Sequence, residues 1–216
     1  SKRMREAHEA VDSAKQYSVQ EAVELIQKTP KAKFDETIEI SVHLDVDPAQ
    51  SEQMVRGTVK LPHGTGKSIR VIVFAKGEAE KAAKEAGADH VGNEELIAKV
   101  AGGWLDFDVA VSTPDLMRDI AKLGRVLGPR GLMPSPKAGT VTPDVAKAVN
   151  EVRGGKVEFK MDKQADLHLG VGKLSFPANH LVENIQTFMR ALWSIRPQTA
   201  KGQFVKSVTV SSTMGP

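Results

Sequence analysis

The chain has no cysteine among its 216 residues. That excludes a disulfide framework, a thiolate metal site and a cysteine nucleophile, and it fits a reducing compartment. No apolar run approaches the roughly 18 residues that a membrane span needs. The basic start, Ser1-Lys2-Arg3-Met4-Arg5-Glu6, leads into no apolar core, so no secretory signal is expected. Aromatic residues make up only 5%, too few for a broad base-stacking platform. Charge of one sign is lacking too. Thirty basic residues against 27 acidic give +3, which permits a nucleic-acid partner without demanding one. What remains is a soluble chain of one or two domains, with no membrane partner, long enough to bury a core without staples.

Catalytic signatures are also missing. The six histidines, at 8, 43, 63, 90, 168 and 180, show no metal spacing, so no metal is expected. No Gly-x-Ser-x-Gly elbow occurs. Gly64-Thr65-Gly66-Lys67-Ser68 has the tail of a phosphate-binding loop, but the glycine that should open the motif is Leu61, and a strand rather than a helix is expected after it. Turn glycines at a chain crossing explain the stretch better. A nucleotide-binding α/β enzyme is therefore the disfavoured alternative. A pure protein-interaction module is a second.

The periodicities that are present divide the chain in three. Residues 18–29 read as a helix, with Ser18 and Glu21 as a capping box, Val19, Ala22, Val23 and Ile26 on one face, and Pro30 as the stop. In residues 37–46, Ile38, Ile40, Val42, Leu44 and Val46 alternate with polar residues. This predicts a long strand with one wet face in an antiparallel sheet.

The middle alternates strand and helix. Ile69–Ala75 is a continuous apolar run, followed by a helix at 78–86, a short strand at 88–91 and a helix at 94–101. A strand at 107–112 comes next, then a helix from Pro114 to about Leu123, and one more opening at Thr142-Pro143-Asp144, with Pro143 pre-set for its first turn. That pattern is βαβ, with a parallel sheet.

After Gly154-Gly155 the two-residue period returns. Val157, Phe159 and Met161 predict one strand, and Leu167, Leu169 and Val171 its hairpin partner. A helix at 179–195 and a strand at 204–211 follow. The expected fold is mixed α/β. An α+β outer domain is built from 1–62 and 156–216, with a Rossmann-like, three-layer α/β insert at 63–155. Two glycine-bearing crossings join them as a hinge. The outer domain carries +2 and the insert +1, so any RNA site must be local.

Three stretches stand out chemically. Gly124–Thr140 is a long loop rich in proline, glycine and basic residues. Its chemistry suits phosphate contact and a structural Ω-loop equally. Lys31-Ala32-Lys33-Phe34-Asp35-Glu36-Thr37 sets lysines and a ring before the long strand. Such groups can hold phosphate and pack on a base, but chemistry alone favours Phe34 tucked into the core. Ser211-Ser212-Thr213-Met214-Gly215-Pro216 ends the last strand in small hydroxyls that suit ribose and phosphate.

Taken together, the sequence resembles the bacterial ribosomal L-one family, proteins of the mobile stalk of the large subunit, over nearly its whole length. The resemblance rests on five blocks. They are Lys33-Phe34-Asp35-Glu36-Thr37; Val55-Arg56-Gly57-Thr58-Val59 with Leu61-Pro62-His63-Gly64; Leu127-Gly128-Pro129-Arg130-Gly131-Leu132-Met133-Pro134; Pro136-Lys137-Ala138-Gly139-Thr140-Val141; and Thr213-Met214-Gly215. Ser211-Ser212 replaces the expected threonines, and Met161 an expected asparagine.

The resemblance implies a hinged two-domain ribosomal protein, cytoplasmic, without catalytic activity or cofactor, and a monomer off the ribosome. Its implied partners are the large-subunit rRNA stalk, exit-site tRNA and its own operon mRNA, whose translation it represses. The RNA-binding residues it implies are Lys33, Phe34, Thr37 and Glu39, with Ser212, Thr213, Met214 and Gly215. Asp162, Lys163 and His168 in the expected hairpin of the same sheet complete the set. The proline-rich loop is implied to add secondary RNA contacts.

Overall fold

A computed structural model describes residues 2–12, 15–29, 32–200 and 202–216. In chain order the helices and strands are α1 (Lys2–Ala10), α2 (Val19–Lys28), β1 (Thr37–Leu44), β2 (Arg56–Lys60), β3 (Val71–Phe74), α3 (Glu78–Glu85), β4 (His90–Gly92) and α4 (Glu94–Ala101). There follow β5 (Val109–Ser112), α5 (Met117–Ala121), α6 (Gly124–Leu127), α7 (Val145–Arg153), β6 (Lys156–Lys160), β7 (Asp166–Lys173), α8 (Ala178–Ser194) and β8 (Val205–Ser212). The fold is mixed α/β. By its own contacts the chain divides into two compact units, Ser1–Gly66 with Gly155–Pro216, and Lys67–Gly154.

In the first unit, α2 begins as its sequence dictates. The Ser18 side chain accepts from the Glu21 amide, and the Glu21 carboxylate accepts from the Ser18 amide, so two orphan donors are satisfied at once. Pro30, the expected stop, lies outside the described residues. β1 is the centre of an antiparallel sheet of order β7-β1-β8. Ile40 pairs with Leu169 on one side and Val210 on the other. The inner face buries Ile38, Ile40, Val42 and Leu44 with Leu167, Leu169 and Val171. Against it lie Leu181, Ile185, Phe188 and Leu192 of α8, and Val23 and Ile26 of α2, in one cluster. β1 ends at Leu44, and Val46 is only half-buried against the core.

The expected hairpin does not form. β6 pairs with β2, antiparallel, with Val157 opposite Val59 and Phe159 opposite Gly57. β7 pairs with β1 instead. The turn between β6 and β7 separates the two ladders. Met161 donates its amide to the Val55 carbonyl, and Ala165 takes a left-handed φ of 65°. Phe159 stays in the core by meeting Phe188 edge to face at 5.2 Å. The terminal segments therefore share two ladders, not one sheet. Helix α1 buries Ala7 alone, so its sequence carries no apolar stripe to announce it.

In the second unit, β3 is the centre of a parallel sheet of order β4-β3-β5. Its residues serve two cores. Ile72 and Phe74 join Leu96, Val100, Phe107, Ile120 and Leu127, while Val71 and Val73 join Ala83, Val111, Val145, Val149 and Val152. Such two-sided burial explains the continuous apolar run.

Three local expectations are corrected here. The helix opening at Pro114 is broken into a 3-10 turn, α5 and α6. Helix α7 starts after Asp144, whose side chain accepts from the Lys147 amide, so Pro143 lies before the cap and not in the first turn. The proline-rich stretch holds α6 and a 3-10 turn at Pro136–Ala138, and it buries Leu127, Pro134 and Ala138. It is thus anchored in its own unit. Residues 64–68 lead into β3 with no helix behind them, unlike a phosphate-binding loop.

Candidate nucleic-acid interface

The outer face of the β7-β1-β8 sheet is polar along its length. Cross-strand partners share a face. Glu39 lies between Gly170 and Ser211, Ser41 between His168 and Thr209, and His43 between Asp166 and Ser207. Ser41 Oγ and His168 Nδ1 lie 3.0 Å apart, and His43 Nδ1 and Asp166 Oδ1 2.7 Å apart. Hydroxyl and imidazole groups thus line a surface only one strand deep on either side of β1.

At one end of this face the two implied segments meet. The Thr37 amide donates to Thr213 Oγ1 at 3.0 Å, and the Thr213 amide donates to the Thr37 carbonyl at 3.0 Å. Lys173 Nζ donates to Thr37 Oγ1 at 3.0 Å. Beneath them sits Glu36, which is 1% exposed. Its Oε1 accepts from the Ala32 amide at 2.7 Å. Its Oε2 accepts from Ser212 Oγ at 2.8 Å and the Met214 amide at 3.0 Å. Burial pushes the Glu36 carboxyl upward in pKa, but these three donors and the charge of Arg3 outweigh it, and the net value falls below the ordinary 4.5. Arg3 Nη2 also donates to the Met214 carbonyl at 2.8 Å. Asp35 accepts from the Ser175 amide and hydroxyl, fixing the same loop from the other side.

The implied residues fall into distinct positions. Lys33, Glu39 and Thr213 are exposed, and Thr37 is half-buried. Phe34 is 54% and Met214 50% exposed, so Phe34 is not tucked into the core. Ser212 is 8% exposed, with its hydroxyl committed to Glu36. Gly215 is half-buried, and a Cβ there would strike Ser212 Oγ.

Asp162, Lys163 and His168 are not part of this cluster. Asp162 and Lys163 sit in the β6–β7 turn, beyond Asp166, the partner of His43. Six residues along a strand put that end roughly 20 Å from Thr37. Asp162 Oδ1 accepts from the amides of Asp166 at 2.9 Å and Gln164 at 2.7 Å, which lowers its pKa against a burial penalty. One ligand atom each from Asp162, Asp166 and His168 lies within 4.8 Å of the others, a grouping that histidine spacing in the sequence does not reveal.

Sequence reasoning missed Glu36 and Lys173. One signal for Glu36 was present, since it continues the inward phase of Ile38, Ile40, Val42 and Leu44 by one step.

The profile of the ribosomal protein L1p/L10e family matches residues 26–216. The chain is 55% identical over 216 residues to the large ribosomal subunit protein uL1 of Protochlamydia amoebophila, covering all of this chain and 92% of that protein. It is 56% identical over 216 residues to the uL1 protein of Clavibacter michiganensis, covering 95% of it. With the uL1 protein of Chlamydia caviae it shares 54% identity over 215 residues, 93% of that protein. Full-length similarity at this level, on a fold that joins the matched terminal blocks, shows that the chain belongs to the ribosomal protein L1p/L10e family.

Proposed function

We propose that the chain is a structural constituent of the large ribosomal subunit, docked on the rRNA of the mobile stalk through the outer face of β7, β1 and β8. Its role is structural and not enzymatic, and its place is the ribosome in the bacterial cytoplasm. The observation that carries the reading is the meeting of residues 33–37 with 212–215, where two large apolar side chains, Phe34 and Met214, stand exposed. An exposed ring suits an unstacked base, and the neighbouring hydroxyls and amides suit ribose and phosphate. Glu39 accepts from a ribose hydroxyl or a base amine. With a net charge of only +3, recognition rests on these groups as much as on ion pairs.

The same face takes a structure in the chain's own mRNA that imitates the stalk, and so represses its translation. The unit Lys67–Gly154 is the domain that swings on the glycine-bearing crossings and helps release exit-site tRNA. Titration of the purified chain against a stalk RNA fragment, beside a scrambled RNA of equal length at physiological salt, tests the core of this reading. Preference for the stalk fragment is expected. Equal binding of the two RNAs overturns it.

A further inference from the structure

Among the described residues Glu36 is the one charged side chain that is buried. A lone buried carboxylate is costly, and a chain ordinarily escapes the cost by taking up a proton. Here the ionised form is held by donors from both terminal segments. Three donors reach it: the Ala32 amide, four residues back, and the Ser212 hydroxyl and Met214 amide, 176 and 178 residues on. Its main-chain carbonyl accepts from Leu174, just past β7. One residue thus ties the loop before β1 to the ends of β7 and β8.

The consequence falls on its exposed neighbours. The Ala32-to-Glu36 bond closes the loop that carries Phe34, and the Met214 amide is held directly. Neither Phe34 nor Met214 is fixed by burial of its own side chain. Their directions therefore depend on the backbone that Glu36 pins. Ser212 and Gly215 fall into line with this. The Ser212 hydroxyl points at Glu36, and a side chain at position 215 would push that hydroxyl away.

We infer that Glu36 is the positioning residue of the interface. Its buried carboxylate presets Phe34 and Met214 for RNA, and Ser212 and Gly215 act through it without touching the ligand. This rests on the reading that the face binds RNA.

The test compares the full chain with Glu36→Gln, Ser212→Ala, Phe34→Ala and the double variant Glu36→Gln/Phe34→Ala. Affinity for the stalk fragment and amide hydrogen exchange at Ala32 and Met214 are measured well below the melting temperature. Glu36→Gln keeps the shape but sets an NH2 group against N–H donors. It should weaken binding about tenfold to a hundredfold, as loss of charge-assisted bonds that order a site does. Ser212→Ala should lose less. Exchange at Ala32 and Met214 should quicken while the centre of β1 stays protected.

A residue that acts through Phe34 also makes the two losses non-multiplicative, so the double variant should bind little worse than the weaker single one. Wild-type affinity in Glu36→Gln, losses that multiply, or unchanged exchange at both amides would each overturn the inference. If Glu36→Gln does not fold, Ser212→Ala must show the same pattern at smaller size, or the idea fails. Equal binding of stalk and scrambled RNA by the unaltered chain removes the RNA reading alone. The pinning of Phe34 and Met214 then stands or falls on the exchange data.

Discussion

Asn184 accepts from the His63 amide at 3.2 Å and donates to the Gly64 carbonyl at 3.0 Å, 120 residues away in the chain. Its second amide proton goes to the Val171 carbonyl at 2.8 Å. The side chain is fully buried, on the stripe of α8 that otherwise holds Leu181, Ile185 and Phe188. A polar residue on an apolar stripe is here a clamp. It fixes the chain at 63–64, where the backbone leaves the sheet unit, to the helix behind the sheet.

Asn184→Ala removes that clamp and takes one partner each from the His63 amide and the Gly64 and Val171 carbonyls. The cost should be about 2–4 kcal/mol, the scale for orphaned buried polar groups. A fall in the urea midpoint with an unchanged slope checks it. Gln186 is exposed on the same helix, and Gln186→Ala should stay within about 0.5 kcal/mol. Equal effects of the two changes would show that the buried network does not contribute.

The lowered pKa of Glu36 makes a prediction about acid. A carboxyl whose folded pKa lies below its unfolded value adds stability that is fully present above the unfolded pKa. That stability is lost as pH falls through the folded one. The unfolded value is the ordinary 4.5. The stability difference between the native chain and Glu36→Gln should therefore hold steady from about pH 7 to pH 5 and shrink below about pH 4.5. Glu21, Asp108, Asp119, Asp162 and Glu183 also have lowered values, but they are common to both chains and cancel in the difference. Urea melts at three pH values suffice. A difference that grows on acidification refutes the assignment.

What the sequence made legible were features carried by neighbours in the chain. The capping box of α2, the alternation of β1 and the unbroken apolar run of β3 are each written within a dozen residues. Pairing is not. Adjacency in the chain points β6 to β7, whereas its partner is β2, whose stretch Arg56–Lys60 buries only Val59. So weak an alternation gives no strand signal, and without it the hairpin looks complete. The site shows the same division. Phe34 and Met214 could be named by resemblance, but their junction depends on Glu36. An acid in sequence reads as a surface residue until its donors arrive from the other terminus.

Phe34 separates a binding role from a packing one. At 54% exposure the ring contributes little to the core. Phe34→Ala should change stability by no more than about 0.5 kcal/mol. It should weaken stalk RNA binding by about 1–3 kcal/mol, the range for one base stacked on an aromatic ring. Parallel melting and titration of the same preparation distinguish the two. A large fall in melting temperature would restore the core role that chemistry alone favoured.

Ionic contacts should be few, and Lys33 should be one of them. It is exposed in the loop that Glu36 closes, whereas Lys173 is half-buried and already donates to Thr37. Log affinity falls by about 0.7–0.9 per neutralised phosphate as log salt rises, so Lys33→Gln should flatten that slope by about one such unit. The loss should be uniform across stalk-like RNAs, since a phosphate contact carries no sequence information. The slope of the unaltered chain should stay below that of about eight ion pairs, given hydroxyl-rich strands and near-balanced charge. Titrations at four or more potassium chloride concentrations measure both quantities. A steeper native slope would shift the weight of binding from this face to the basic residues of the Lys67–Gly154 unit. An unchanged slope in Lys33→Gln would take Lys33 off the phosphate backbone.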